Sequence, residues 1–278
     1  MLNSENMKSV ATNGFATYYH EVGSADDPVV IALHGSGAGV SAAANWSYFL
    51  PDLAARGFRV IAPDVVGFGA TVPNREYEYG DQAWVDWLAA FVDATNVSQA
   101  HLVGNSFGGW LSMRFALDHR ETVASLVLMG TGGVARTKSP ARLENERYVT
   151  PSLEGMRSIL QNFVYHKELI TDELVAVRYE ASAAPGAPER FAAVKAARDR
   201  DVRASPLIEM GLESLDVPTL LVHGKDDQII PYGVSVELLG ILPQSELIVF
   251  DRCGHWNMLE DPPRFNAVVA DFLSHTVS

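Results

Sequence analysis

Cysteine is nearly absent from the chain: Cys253 is the only one in 278 residues. A lone thiol excludes an internal disulfide and a cysteine-based metal cluster within one chain, and it fits a reducing, cytoplasmic setting. Basic residues are also short, with 21 Lys and Arg against 34 Asp and Glu and a net charge of −13. That balance opposes attraction to phosphate backbones and anionic lipid surfaces, so neither nucleic acid nor membrane is an expected partner. Long apolar runs are missing too, and nothing approaches the ~20 residues that a membrane-spanning helix needs. The amino terminus, MLNSENMKSV, is polar and unlike an export signal. The eight histidines lack metal-ligand spacing, so no metal is expected.

What is present is enough apolar residue, 47% of the chain, to fill a large core. Short runs rich in β-branched residues recur at Val29 to Leu33, Arg59 to Ala62, His101 to Val103, Leu126 to Met129, Thr219 to Val222 and Glu246 to Phe250. They read as strands buried on both faces. Phe15 to Val22 alternates weakly and reads as an antiparallel edge strand. Between these runs, Trp84, Trp87, Leu88, Phe91 and Val92 mark one apolar helix face, and Phe265, Val268, Val269 and Phe272 another. Ser106 to His119 is apolar nearly all round, as a buried central helix would be. Alternating strands and helices predict an α/β protein with a mostly parallel sheet. From about Gly132 to Asp216 the strand-like runs vanish, and charged, Ala-rich segments appear, interrupted at Pro140, Pro151, Pro185, Pro188 and Pro206. The expected organisation is a core of residues 1–131 and 217–278 with a helical lid, 132–216, inserted in it.

Chemistry concentrates at the ends of the expected strands. His101 to Val103 runs into Gly104-Asn105-Ser106-Phe107-Gly108-Gly109 and then the buried helix, the strand, sharp turn and helix context of a nucleophile elbow. A serine hydroxyl needs a base within hydrogen-bond reach, and the base needs an acceptor that fixes its tautomer. Asp226-Asp227 follows the strand at Thr219, and His255 follows the next one, giving serine, acid and histidine in the chain order of this arrangement. Asp227 is the favoured acid and Asp226 its competitor. After Leu33, the loop His34-Gly35-Ser36-Gly37-Ala38-Gly39 could aim an amide of Ser36 or Gly37 at an oxyanion, with the Phe107 amide as partner. A dinucleotide loop would need a third glycine where Val40 stands.

These features identify the chain as a member of the α/β-hydrolase superfamily. The glycine loop with Ala44-Asn45-Trp46, Pro63-Asp64 with Gly67-Phe68-Gly69, the elbow, and Gly254-His255-Trp256 more narrowly resemble the meta-cleavage product hydrolases. The resemblance implies an α/β-hydrolase fold and a cofactor-free serine hydrolase that cleaves a carbon-carbon bond in 2-hydroxy-6-oxohexa-2,4-dienoate-type products of bacterial aromatic degradation. It implies substrate contacts from Asn45, Asn105 and Trp256, and a homo-oligomer. Simpler roles for these three are a helix cap, tolerance of a strained turn and core packing, respectively. The chain departs from the family in two places: Ala38 replaces a usual proline, and Ala184 stands where the family's lid arginine for the substrate carboxylate is expected, just before Pro185-Gly186. Arg190, Lys195 or Arg198 are candidate replacements. Without that arginine, a carboxylesterase or enol-lactone hydrolase is the competing enzyme, and a non-catalytic small-molecule receptor is the competing class.

Overall fold

Runs of branched apolar residues can bury both their sides as interior strands. They do so in the computed structural model, which describes residues 7–74, 77–132, 138–148, 150–204 and 211–276. The strands are β1 (Lys8–Thr12), β2 (Phe15–Val22), β3 (Val29–Leu33), β4 (Arg59–Pro63), β5 (Ala100–Asn105), β6 (Val123–Met129), β7 (Thr219–Gly224) and β8 (Ser245–Phe250). Among the described residues they form one eight-stranded sheet in the order β1-β2-β4-β3-β5-β6-β7-β8. The pairs from β4 to β8 are parallel, and β1–β2 and β2–β4 are antiparallel. The expected mostly parallel α/β architecture is observed.

The two edges differ from expectation. Phe15–Val22 is antiparallel but not at the edge, because β1 covers it. The signal for that hairpin is Asn13-Gly14, whose φ angles of 48° and 86° suit a two-residue turn that matches strand twist. At the other side β8 pairs, among the described residues, only with β7 and is half-exposed along most of its length, so Glu246–Phe250 is not buried on both faces.

Alternation along the inner strands separates two cores. Ile31 and Leu33 join one with α3 (Asp81–Ala94), α4 (Phe107–Asp118) and α9 (Gly233–Ile241). Val30 and Ala32 join the other with α1 (Ala42–Trp46), α2 (Phe49–Ala55), α10 (Asn257–Glu260) and α11 (Pro262–Thr276). Helix α3 buries the five residues its spacing marked, and α4 is buried from Phe107 to Ala116. In α11 the buried face is Phe265, Asn266, Val269, Ala270 and Leu273, with Val268 and Phe272 at its margin.

Between β6 and β7 lie α5 (Pro140–Glu146), α6 (Leu153–Gln161), α7 (Asp172–Ala183) and α8 (Ala187–Ala204). The hydroxyls of Ser139, Ser152 and Thr171 accept from Arg142, Gly155 and Leu174 N–H and cap α5, α6 and α7. Pro140 and Pro188 therefore do not interrupt helices: both sit in a first turn, where proline's missing N–H is harmless. Pro185 lies between α7 and α8, and Pro206 lies outside the described residues.

Candidate active site

In an open parallel sheet, side chains that follow the carboxyl ends of neighbouring strands converge. Here Ser106 follows β5, Asp227 follows β7, His255 follows β8, and the glycine loop follows β3. Ser106 has φ 54° and ψ −108° at the N-terminus of α4, a conformation that costs a non-glycine residue about 1–3 kcal/mol. Its N–H donates to Met129 O at 2.9 Å, tying the strained turn to the sheet. The turn also needs bare neighbours. A Cβ on Gly104 would meet Gly109 N at 2.4 Å, and one on Gly108 would meet Leu33 O at 2.1 Å.

Asp227 Oδ1 accepts from Ile229 and Ile230 N–H at 2.8 and 2.9 Å, and Oδ2 faces His255 Nδ1 at 2.7 Å. Burial alone would raise its pKa. The facing His255 and the hydrogen bonds from His223 and His255 reverse this and hold the carboxyl well below the carboxylate range. An anionic Asp227 makes Nδ1 of His255 a donor and leaves Nε2 free for the serine side. His255 is buried, and its N–H donates to Phe163 O at 2.7 Å. Asp226 is exposed, so Asp227 is the acid that meets the histidine.

The remaining expected residues gather around this pair. Ser36, Asn45, Asn105, Ser106, His255 and Trp256 line one cavity, and Ser36, Gly37, Ser106 and Phe107 line the larger cavity beside it. Phe107 is the first residue of α4, so its N–H has no partner within the helix and is available to an oxyanion. Asn45 Nδ2 donates to Asn105 Oδ1 at 3.1 Å, and both side chains are buried. Asn45 is not a cap, since Ser41 caps α1. Trp256 stacks on Phe163 with centroids 4.5 Å apart and planes 4° from parallel. His34 in the glycine loop is structural: Nδ1 donates to Gly35 O at 2.6 Å, Nε2 accepts from Val65 N–H at 2.9 Å, and burial lowers its pKa to about 4.

Three residues that sequence reasoning passed over enter the site. Arg178, on α7, is 4% exposed and lines both cavities. Its Nη2 donates to Ala38 O at 3.1 Å and its guanidinium lies 5.7 Å from the Trp256 ring centroid. Nε has no hydrogen-bond partner among the described residues. Burial pulls its pKa down to about 10, which still leaves it charged at neutral pH. The buried arginine is thus six residues before Ala184, which lines a neighbouring outer cavity together with Arg190. Lys195 and Arg198 do line the larger cavity beside Ser106. The other two are Phe163, which supports His255 and Trp256, and His223, whose Nε2 donates to Ile230 O at 2.7 Å and lies 3.1 Å from Asp227 Oδ2. A lone basic residue in the apolar stretch Leu174 to Tyr179 was the available signal for Arg178.

The α/β hydrolase fold family matches residues 28–262. The chain is 42% identical to a 2-hydroxy-6-oxo-2,4-heptadienoate hydrolase of Pseudomonas putida strain F1, over 98% of both chains. It is 40% identical to a 2-hydroxymuconate semialdehyde hydrolase of Pseudomonas sp. strain CF600, over 96% of this chain and 93% of that one. A crystal structure of a meta-cleavage product hydrolase from Pseudomonas fluorescens IP01 superimposes with a TM-score of 0.91 at 41% identity, covering 98% and 99%. The chain belongs to the meta-cleavage product hydrolases of the α/β-hydrolase fold. As a member of that family it is a hydrolase of carbon-carbon bonds, and its substrate is a small molecule. No helix among the described residues is long and apolar enough to cross a membrane, and no group of three or more His, Cys, Asp or Glu among them could hold a metal ion.

Proposed function

We propose that the protein hydrolyses the C5–C6 bond of a 2-hydroxy-6-oxohexa-2,4-dienoate, releasing 2-hydroxypenta-2,4-dienoate and a carboxylic acid, with Ser106, His255 and Asp227 as its triad. The observation that carries this reading is Arg178, a buried cation lining the same cavity as Ser106, His255, Asn45 and Asn105. A buried guanidinium with an unused N–H suits a substrate carboxylate, because an ion removed from water needs a counter-ion there. Simple esters offer it none, and the esterase reading rested on the absence of such an arginine.

With the carboxylate on Arg178 and the 2-oxygen near Asn45 and Asn105, the C6 carbonyl lies toward Ser106. His255 Nε2 takes the Ser106 proton as Oγ adds to C6, and the amides of Phe107 and of Ser36 or Gly37 hold the oxyanion. Before the bond can break, the dienol becomes its keto form as the 2-hydroxyl proton is transferred to C5. When the C5–C6 bond then breaks, its electron pair passes through C4 and C3 to the 2-oxygen as a dienolate, and His255 gives its proton to that oxygen. Water, activated by the same histidine, then releases the acid from Oγ. Residues 132–216 act as a lid over a core of 1–131 and 217–278, a reading supported by the contributions of α5, α6, α7 and α8 to the cavity. The buried, single Cys253 supports a cytoplasmic setting, and exposed Tyr232, Val236 and Leu239 on and beside α9 support a homo-oligomer.

The test is a parallel assay of a coloured 2-hydroxy-6-oxohexa-2,4-dienoate, followed by loss of its visible absorbance, and a short nitrophenyl ester. Fast bleaching with slow ester cleavage is expected. Ester turnover without bleaching contradicts the proposal.

A further inference from the structure

Successive residues of β7 turn their side chains to opposite faces of the sheet, Leu221 to the core that holds α9 and Val222 to the core that holds α11. His223 continues the face of Leu221 and so points toward α9. There it meets Ser235, in the first turn of that helix, and both side chains are wholly buried. A hydroxyl and an imidazole among Leu and Val side chains cost free energy unless each is paired. They are paired: His223 Nδ1 lies 2.7 Å from Ser235 Oγ, and Nε2 lies 2.7 Å from Ile230 O and 3.1 Å from Asp227 Oδ2. A neutral imidazole has one N–H. Nε2 faces two oxygen acceptors, so the N–H is there, shared between the carbonyl and the carboxylate. Nδ1 keeps its lone pair, and the Ser235 hydroxyl donates to it. Asp227 Oδ1 thus faces two backbone N–H groups, and Oδ2 faces the imidazoles of both His255 and His223.

We infer that Ser235 and His223 are positioning residues for the reaction, a second arm on Asp227 that sets how strongly its carboxylate holds His255. The inference rests on the proposed triad. The hydroxyl polarises the His223 ring, the ring N–H draws on the charge of Oδ2, and the share left to His255 is smaller. A carboxylate serving His255 alone would favour the imidazolium more strongly, so the proton taken from Ser106 would be given up more slowly to the dienolate oxygen. With the second arm, His255 can both take that proton and release it. The chain contains its own control. His101 and Ser125 make an equally buried pair at 2.8 Å, but near the amino ends of β5 and β6, away from the strand ends that carry the triad.

The charged and titratable groups around this arm are few. Asp227 faces His223 from its own loop, and His255 faces it across that carboxylate from the loop after β8. From α9 it receives Ser235, which does not titrate, and its partner in β8 is Val249. Lys225 and Asp226 in the same loop are exposed. On the His255 side, Arg178 lines the shared cavity, and Glu260 accepts from Gly254 N–H. None of these is altered by the substitutions below.

The experiment measures kcat/KM against pH for a coloured 2-hydroxy-6-oxodienoate with the purified full chain, because the acidic limb reports the base of the free enzyme. Without the second donor the base stays protonated to higher pH. His223→Leu is therefore expected to move the acidic limb up by about half to one pH unit, a three- to tenfold loss on that limb. Ser235→Ala should move it the same way by about 0.3 unit, roughly twofold. His223→Gln, whose amide keeps an N–H within reach of Oδ2, should return the limb toward the parent's. His101→Leu should leave it in place. An acidic limb unmoved in His223→Leu or in Ser235→Ala, or moved as far by His101→Leu, overturns the second arm and leaves the triad standing; if His223→Leu does not fold, Ser235→Ala decides. Asp227→Asn as active as the parent in the same assay overturns the triad and the arm together.

Discussion

The strand ends and the helices above them are held together in different ways. Asp227 is fixed by two backbone N–H groups, Ser106 N–H by Met129 O, and His255 N–H by Phe163 O. Arg142 with Glu146 on α5, and Lys195 with Asp199 on α8, instead form partly exposed side-chain ion pairs. Backbone anchoring gives the reacting groups one geometry, and side-chain pairing lets the pocket's chemistry change by substitution without disturbing the sheet.

Substitutions can break this comparison, beginning with the largest effect. Ser106→Ala should lower kcat by about 10⁴-fold or more while thermal unfolding stays within a few degrees of the parent, as measured by steady-state bleaching and a melting scan. Retained activity would remove the serine from the mechanism. Asp227→Asn should cost on the order of 10³–10⁴-fold in kcat, and Asp226→Asn, on an exposed side chain, less than about twofold. The reverse order would exchange their roles. His223→Leu should lower kcat by about tenfold through loss of the donor beside Asp227 Oδ2, with KM little changed. A change in KM alone would make His223 only a packing residue.

The smallest effect concerns the scaffold. Burial lowers the pKa of His34 and His101 from 6.5 to about 4. Between those values the unfolded chain binds protons that the native chain does not, so stability falls as pH drops from about 6.5 toward 4. Asp227, whose carboxyl is held low, adds a loss of the same sign in stronger acid. Denaturant titrations at pH 7 and pH 5 should differ by roughly 2 kcal/mol per histidine. Equal stability at the two pH values would contradict neutral burial of these rings.

What the sequence disclosed follows the same division. The elbow, the glycine loop and the acid-histidine order are short local patterns whose backbone geometry is dictated by glycine and by strand ends, so Ser106, Asp227 and His255 could be named before their contacts were known. The parallel sheet was equally legible, because strands buried on both faces leave continuous apolar runs. The edges were not, since β8 has the composition of an inner strand and only its missing neighbour exposes it. Least legible was the helical region. There the buried Arg178 is one charge among many on helices rich in charge, and spacing from Pro185-Gly186 pointed to Ala184 while the cavity receives Arg178 from six residues earlier. Burial, not sequence position, distinguishes it.

The central claim is that Arg178 makes a serine hydrolase apparatus act on a carboxylated dienoate. The most direct test is kcat/KM of the parent and of Arg178→Gln for a coloured 2-hydroxy-6-oxodienoate and for a nitrophenyl ester. A loss of about 100-fold on the dienoate with ester cleavage changed by less than about threefold is the predicted result. Equal losses on both substrates, or no loss on the dienoate, would contradict it.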